Sequence, residues 1–255
     1  ITDIGPEKIF EEDVYVTNGP WKGTGDLHDI PVVTPVFREA AVVGYFACTA
    51  HGVDVGGRGF GPDARDVHEE GLFVPIMKLF ERGRVNRDLI RIVRANVREA
   101  DKVVGDLYAL AACNRTGIGR LFDMMDEFAF DDLQALGGFI LERSGEATRA
   151  AIAGLPRGRH ANSMTLDGYD EPVHLAVTLD IEGDRIRADF TGTSGISRYG
   201  INVPLVYCKA YACYGLKCVV APEIPNNAAS LEPFEITAPP GCILKIGRAS
   251  CRERV

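Results

Sequence analysis

Hydrophobic and polar residues alternate in steps of two near the start of the chain, a period that predicts β-strands. Asp13–Thr17 alternates in this way, and the apolar runs Ile30–Phe37 and Ala40–Cys48 are rich in Val, Tyr and Phe. The two runs are predicted to form a hairpin or a pair of neighbouring buried strands. Pro31 and Pro35 place the first run at a sheet edge or a bulge, because proline lacks the N–H that an interior strand uses.

Apolar residues recur every three or four positions between residues 87 and 154, which predicts helices. This helical stretch ends at Gly154-Leu155-Pro156. Alternation then returns, and strands are predicted over Ala161–Leu166, Val173–Ile181 and Arg185–Thr191, followed by a buried helix over Val203–Val220 and an extended segment over Leu231–Ala238. The predicted fold is therefore mixed α+β.

The change of period near residue 156 is the predicted domain boundary. Residues 1–156 are expected to hold the first strands and the helical segment, and residues 157–244 to form a β-rich segment with one buried helix. Residues 245–255 resemble the translated read-through of a sequencing adapter and are predicted to be a non-native tail. The chain also lacks an initiator Met, so it is expected to be a fragment of a longer gene product.

Composition narrows the class of protein. The 255 residues are 46% hydrophobic and 25% charged, as in an ordinary globular protein. The net charge of -8 argues against a nucleic-acid partner, and no apolar run reaches the roughly 18 residues of a membrane span. Seven cysteines without paired metal spacing favour a reducing compartment, so a cytoplasmic location is expected.

Two polar clusters flank the predicted hairpin: Asp26, His28 and Asp29 before it, and His51 and Asp54 after it. If the strands pair, these five groups converge at one end of a sheet. Mixed carboxylate and imidazole ligands suit Mn, Fe or Zn. The structural alternative is that Asp29 and Asp54 cap turns while His51 is a satisfied, partly buried histidine.

Three loops invite a functional interpretation. The glycines of Lys22–Asp26 permit close approach of a ligand. Gly56–Pro62 has no P-loop ending, so it is either a mobile lid or an ordinary surface loop. Thr191–Ser194 offers hydroxyls and amides to an anion, although an ordinary turn explains the same residues.

A series of ordered motifs resembles the hydantoinase B/oxoprolinase family. They cover residues 13 to about 244 and include Val16-Thr-Asn-Gly-Pro-Trp21, Gly23-Thr-Gly-Asp-Leu-His-Asp-Ile30, Ala50-His-Gly-Val-Asp-Val-Gly-Gly57, Asn96-Val-Arg98, Asp189-Phe-Thr-Gly-Thr-Ser194 and Ile201-Asn-Val-Pro204. The family contains subunits of N-methylhydantoinase, 5-oxoprolinase, and acetone and acetophenone carboxylases.

The resemblance implies an ATP-dependent system in which a hydantoinase A-like partner binds ATP and activates the substrate by phosphorylation. The hydantoinase B-like chain carries the metal, manganese in the carboxylases, and the family's ligand motifs map onto Asp26, Asp29 and His51. Two positions depart from the family pattern. Asp26 stands where the family usually has His, with His28 two residues later, and Gly19 replaces the usual Asp.

The resulting hypothesis is a fragment of a catalytic subunit that acts on cyclic amides within a hetero-oligomer. Asp29, His51 and either Asp26 or His28 are predicted to bind a divalent metal (Mn, Zn or Fe) that polarises the substrate carbonyl. His51 and Asp54 are the predicted catalytic residues. Two alternatives remain, an acetone or acetophenone carboxylase-type subunit, and a non-catalytic scaffold subunit with a degenerate metal site.

Overall fold

The computed structural model describes residues 4–23, 25–59 and 61–247. The chain divides into two compact units, the first ending at Leu133 and the second beginning at Gln134. This division lies within the predicted helical stretch of residues 87–154, whereas the sequence placed the boundary after that stretch, near residue 156. Each unit contains helices and one β-sheet, so the predicted mixed α+β class is confirmed.

The sheet of the first unit has five strands, all paired antiparallel. Its members are β1 (Val14–Val16), β2 (Asp29–Arg38), β3 (Ala41–His51), β4 (Met77–Glu81) and β5 (Arg84–Val85), in the spatial order β3-β2-β1-β4-β5. The short helix α1 (Val67–Glu70) precedes β4. The predicted hairpin is confirmed as β2 and β3, joined by a two-residue turn at Glu39 and Ala40, whose φ angles are +50° and +65°.

The edge position predicted for the first hairpin strand is wrong, because β2 lies between β3 and β1. The N–H of Thr17 donates to the carbonyl of Pro31. Both polar groups of one residue point to the same neighbour in an antiparallel ladder, so Pro31 and Pro35 face β1. Because β1 pairs only with Val32 and Val33, neither proline stands opposite a paired residue of β1. The register shift of the hairpin lies beyond both prolines.

Two helices, α2 (Arg87–Asn96) and α3 (Ala100–Glu127), supply most of the remaining core of this unit. Asn114 is buried within α3, and its amide donates to the carbonyls of Val32 and Phe46 and to the hydroxyl of Thr34. These bonds join α3 to both strands of the hairpin. The inner face of the hairpin is therefore fixed, which leaves its outer face and its open end for other contacts.

A second buried polar group, Asp13, connects β1 to β4. Its carboxylate accepts hydrogen bonds from the N–H groups of Phe10 and Arg82 and from the Tyr15 hydroxyl, and it pairs with Lys78 at 2.9 Å. Burial alone would raise the pKa of Asp13, but the Lys78 ammonium and the other donors outweigh it and hold the pKa below the usual 3.8. Asp13 is therefore ionised in the folded protein.

This depressed pKa predicts acid-dependent stability. A carboxyl group whose pKa is lower in the folded state contributes its full stability above its unfolded pKa, and that contribution is lost as pH falls through the folded value. The difference in free energy of unfolding between the wild type and Asp13→Asn should be constant above about pH 5 and shrink below pH 3.8. Emission from Trp21, the only tryptophan, reports unfolding of the first unit. A difference that stays constant down to about pH 2 would contradict the prediction.

The second unit has a four-stranded sheet in the order β6-β7-β8-β9. The strands are β6 (Gly158–Leu166), β7 (Val173–Glu182), β8 (Arg185–Asp189) and β9 (Phe234–Thr237), and only the β8–β9 pair is parallel. Three helices complete the unit, α4 (Gln134–Ala153), α5 (Leu205–Val220) and α6 (Ala228–Leu231). Lys245 and Ile246, assigned above to the tail, donate backbone hydrogen bonds to Cys242 and Val203; residues 248–255 lie outside the described part of the chain.

Helix α5 is less buried than its composition predicts. Within it only Cys208 and Lys217 are fully buried, and Tyr211, Tyr214 and Val219 are exposed. The prediction of a buried helix is wrong for the described structure, because α5 packs against one face of a single sheet and that contact covers only one side of a helix. Among the described residues, no helix has both the length and the apolar composition that crossing a bilayer requires.

Candidate metal centre

Three of the five polar residues selected from the sequence meet at the open end of the β2–β3 hairpin. Asp29 is the first residue of β2 and stands directly opposite His51, the last residue of β3. Asp29 Oδ1 and His51 Nδ1 are 3.0 Å apart. Asp26, in the loop before β2, joins them, so that one ligand atom from each residue lies within 4.8 Å of the others.

The loop before β2 is shaped by polar and glycine residues. The Asp29 N–H donates to Asp26 Oδ1 at 2.9 Å, which folds Asp26 back toward the start of β2 and engages one of its two carboxylate oxygens. Gly25 has a φ of +119°, a conformation that favours glycine. Gly23 approaches the Pro31 ring so closely that a Cβ would lie 3.3 Å from Pro31 Cγ. The loop therefore lies against the hairpin, beside the three candidate ligands.

Asn18 holds this loop in place, a role that the sequence pattern did not predict. Its buried amide donates to the carbonyls of Leu27 and Leu72 and accepts from the N–H of Val74. The available signal was its place in the Thr-Asn-Gly-Pro-Trp motif. Trp21 packs nearby with Leu27, Val55 and Val67 as a small apolar cluster.

The spacing of the donor atoms fits a bound divalent cation. Two donors about 2.1 Å from an ion lie about 3.0 Å apart when adjacent at right angles and about 4.2 Å apart when opposite. Asp29 Oδ1 and His51 Nδ1 already have the adjacent spacing, and no pair of donor atoms in the group exceeds the opposite spacing by more than about 0.6 Å. If Asp29 instead keeps its hydrogen bond to Nδ1, the ring offers Nε2 and Asp29 orients it.

The group is open to solvent. The His51 side chain is 49% exposed and the Asp29 side chain 23% exposed. His51 is therefore more exposed than the structural alternative of a partly buried histidine predicts. Three candidate ligands at an accessible position would leave coordination sites for water or substrate, a feature that distinguishes catalytic from structural metal sites.

His28 lies beside this group but is not one of its three members. It is buried, and its Nδ1 is 3.0 Å from the Gly52 carbonyl oxygen. Its ring stacks on that of His51, with centroids 5.2 Å apart and planes inclined by 16°. Between the two candidates for the third ligand, the geometry brings Asp26 into the group and sets His28 behind His51.

Asp54 is also outside the group and has other partners. Its buried carboxylate accepts from the N–H groups of Gly56, Arg98 and Glu99, and it pairs with the Arg98 guanidinium at 2.7 Å. Burial alone would raise the pKa of Asp54, but the three backbone donors and the Arg98 charge hold it below its usual range. This arrangement matches the alternative in which Asp54 caps turns, and it gives Arg98 a structural partner that the sequence did not predict.

The glycine-rich loop after Asp54 is held along its first half. The Arg98 guanidinium donates to the carbonyls of Gly56 and Gly57, and Arg58 N–H donates to the Glu69 carbonyl. A Cβ on Gly57 would overlap the carbonyl oxygens of Glu69 and Glu70. Close backbone packing therefore explains these glycines better than a lid does.

The hydroxyl groups of the Thr191–Ser194 turn form hydrogen bonds within the protein. Thr191 donates to Asp189, Thr193 exchanges hydrogen bonds with both backbone groups of Ala176, and the Ser194 hydroxyl accepts from the N–H of His174. The Ser194 N–H also donates to the His174 carbonyl. The turn is thus hydrogen-bonded along the first residues of β7, and the alternative of an ordinary turn accounts for it.

Comparison with solved structures gives the class of fold. The chain superposes on an ATP-dependent caprolactamase from Pseudomonas jessenii with a TM-score of 0.85 and 23% identity, covering 94% of this chain and 43% of the other. It also superposes on a nucleotide-free acetone carboxylase with a TM-score of 0.83 and 17% identity, covering 95% and 34%. The fold is therefore one used by enzymes described as ATP-dependent.

The family follows from the sequence. The profile of the Hydantoinase B/oxoprolinase family matches residues 2–250, and the chain belongs to this family. A protein from Pseudomonas sp. (strain NS671), named as the B-type subunit of a D-/L-hydantoinase, is 31% identical over 249 residues. That match covers 91% of this chain but 42% of the relative, so the chain spans less than half of the length of such proteins.

Proposed function

We propose that this chain is the metal-binding part of a subunit that acts on cyclic amides in an ATP-dependent enzyme. The observation that carries the proposal is the group formed by Asp26, Asp29 and His51 at the end of the hairpin. Family membership and the names of the relatives, a hydantoinase and a caprolactamase, supply the substrate class.

The three residues would hold a divalent cation such as Mn²⁺, Zn²⁺ or Fe²⁺. Such an ion acts as a Lewis acid that polarises a carbonyl oxygen. The two carboxylates and the neutral imidazole suit hard or borderline ions. Asp26 and Asp29 supply two negative charges that lower the cost of bringing a cation to a half-exposed position. His51 supplies its ring nitrogen from the last position of β3, where the hairpin register fixes its distance from Asp29.

In this proposal Asp54 supports the site without contacting substrate. Its four hydrogen-bonding partners saturate the carboxylate, and its low pKa makes it a weak base. It fixes the chain after His51 to the segment that links α2 and α3. The catalytic role first assigned to Asp54 is thus replaced by a positioning role, while His51 is kept as a ligand.

The proposal includes a second subunit. Two relatives, a hydantoinase and a caprolactamase, are named as subunits, which favours a hetero-oligomer in which a hydantoinase A-like chain binds ATP and activates the amide. The fold shared with acetone carboxylase supports a second candidate, a ketone carboxylase subunit. Turnover of a cyclic amide against bicarbonate-dependent turnover of a ketone, measured with the whole protein and its partner, separates the two.

Metal binding tests the proposal directly. The purified chain should bind about one Mn²⁺, and His51→Ala should weaken binding at least tenfold because one of three protein ligands is lost. Free Mn²⁺ counted by electron paramagnetic resonance during titration gives the dissociation constant. His160→Ala is the matched control, since His160 is an exposed histidine on β6 in the other unit and should leave binding unchanged.

Two outcomes would contradict the proposal. Equal and negligible Mn²⁺, Zn²⁺ and Fe²⁺ binding by the wild type and His51→Ala would exclude a metal centre in this chain. Co-purification with a partner subunit without any bound metal would favour the scaffold alternative.

A further inference from the structure

We propose that His28 is a positioning residue that fixes the ring plane of His51, and that it does not itself bind the ion. This inference rests on the proposed metal centre and adds a residue to it. It follows from the juxtaposition of a buried imidazole, a stacked ligand and a backbone carbonyl at the end of the hairpin.

His28 is bound twice to the residue that follows His51. The Gly52 N–H donates to the His28 carbonyl at 2.6 Å, and His28 Nδ1 lies 3.0 Å from the Gly52 carbonyl oxygen. A carbonyl oxygen can only accept, so Nδ1 carries the proton and donates. This reciprocal pair continues the β2–β3 ladder one step beyond Asp29 and His51. It holds the backbone of Gly52 and sets the orientation of the His28 ring.

The fixed His28 ring then limits the orientations that the His51 ring can adopt. With centroids 5.2 Å apart and planes 16° from parallel, the two imidazoles stack, and rotation of His51 about its side-chain torsions would break that contact. His51 is half exposed on this surface, so the stack supplies order that burial does not. A ligand held in its binding orientation loses less conformational entropy when the ion arrives.

The buried position of His28 separates positioning from ligation. His28 is buried, whereas the His51 side chain is 49% exposed, and the three-residue group forms without His28. The chain therefore departs from the family pattern, in which His stands at the position of Asp26. Asp26 provides the ligand and His28 the support.

Three variants at position 28 test the inference. His28→Leu removes both the aromatic ring and the hydrogen bond, His28→Phe keeps a ring of similar shape, and His28→Asn keeps a donor without the ring. We expect His28→Leu to weaken Mn²⁺ binding about 10- to 100-fold, the range for residues that orient ligands. His28→Phe should recover most of that loss and His28→Asn little of it, because the stack and not the hydrogen bond acts on His51.

Visible absorption of the Co²⁺-loaded protein supplies a readout that general destabilisation would not move. The Co²⁺ bands should shift in His28→Leu and return toward the wild type in His28→Phe, with far-ultraviolet circular dichroism confirming that each variant is folded. Unchanged affinity and bands in folded His28→Leu, with His51→Ala still defective, would overturn the positioning role alone. Loss of binding in His28→Phe equal to that in His51→Ala would make His28 a ligand. Absence of metal from the wild type would instead reject the proposed centre.

Discussion

Asp54→Asn should lower the free energy of unfolding of the first unit by about 3 kcal/mol, through lost charge-assisted hydrogen bonds and unpaired buried donors. The wild-type carboxylate accepts from three backbone N–H groups and from Arg98. An asparagine amide has one oxygen acceptor, and its NH₂ group would face donors. The start of α3 and the glycine-rich loop would lose their common attachment.

Urea unfolding followed by Trp21 emission measures the loss, because Trp21 packs on Val55, next to Asp54. Asp63→Asn is the matched control, since Asp63 is an exposed aspartate nine positions later and should change the free energy of unfolding by less than about 0.5 kcal/mol. Equal stability of the two variants would mean that the Asp54 network adds nothing to folding, and with it the supporting role assigned to Asp54 would fail.

Gly57→Ala should be at least as damaging, with an expected loss of about 3–5 kcal/mol from backbone strain and steric overlap together. Gly57 has a φ of +54°, and a Cβ there would overlap the backbone oxygens of Glu69 and Glu70. These oxygens belong to α1, which cannot move without breaking its contact with the loop. The substitution should therefore separate the loop from α1.

Gly59→Ala separates the cost of backbone strain from the cost of steric overlap. Gly59 has a φ of +85° in the same loop, but a Cβ there would meet no atom within 4 Å among the described residues other than its chain neighbours. Its substitution should cost about 1 kcal/mol, the strain of a left-handed backbone alone. The excess loss in Gly57→Ala, measured by the same unfolding experiment, is then the steric contribution. Losses of similar size in both variants would show that the close approach at Gly57 is unimportant.

The hairpin and the candidate ligands at its end were predictable because they depend on local patterns. Two apolar runs with a short separation define a hairpin, and antiparallel pairing brings the start of the first strand to the end of the second. Asp29 and His51 meet for this reason. The prolines misled the prediction of the edge, because the sequence indicated the strand near Val14–Val16 but not that it pairs with β2, where its short length makes the missing N–H groups of the prolines harmless.

The sequence could not show which of the polar residues join the candidate metal group and which bind backbone groups; that required the three-dimensional structure. His28 and Asp54 have the same side chains as the proposed ligands and lie within three residues of them, yet each is turned toward backbone groups. Arg98, which completes the Asp54 contact, is 44 positions away along the chain. The exposure of the apolar residues on the outer side of α5 was not predicted either. Composition shows how apolar a helix is but not how much of its surface other elements cover.

The two-residue turn at Glu39 and Ala40 has a consequence for how this family can diverge. Strand pairing from Arg38 back to Asp29 is set by the turn together with the register shift between Val36 and Phe37. One residue inserted or deleted at the turn, without a second compensating shift, would move the ladder and send alternate side chains to the opposite face. Asp29 and His51 would then point away from each other, although neither had mutated. Evolution is thus free to exchange the residues at the far tip of the hairpin but not to change their number, and length variation there would mark lineages that have lost the proposed metal site.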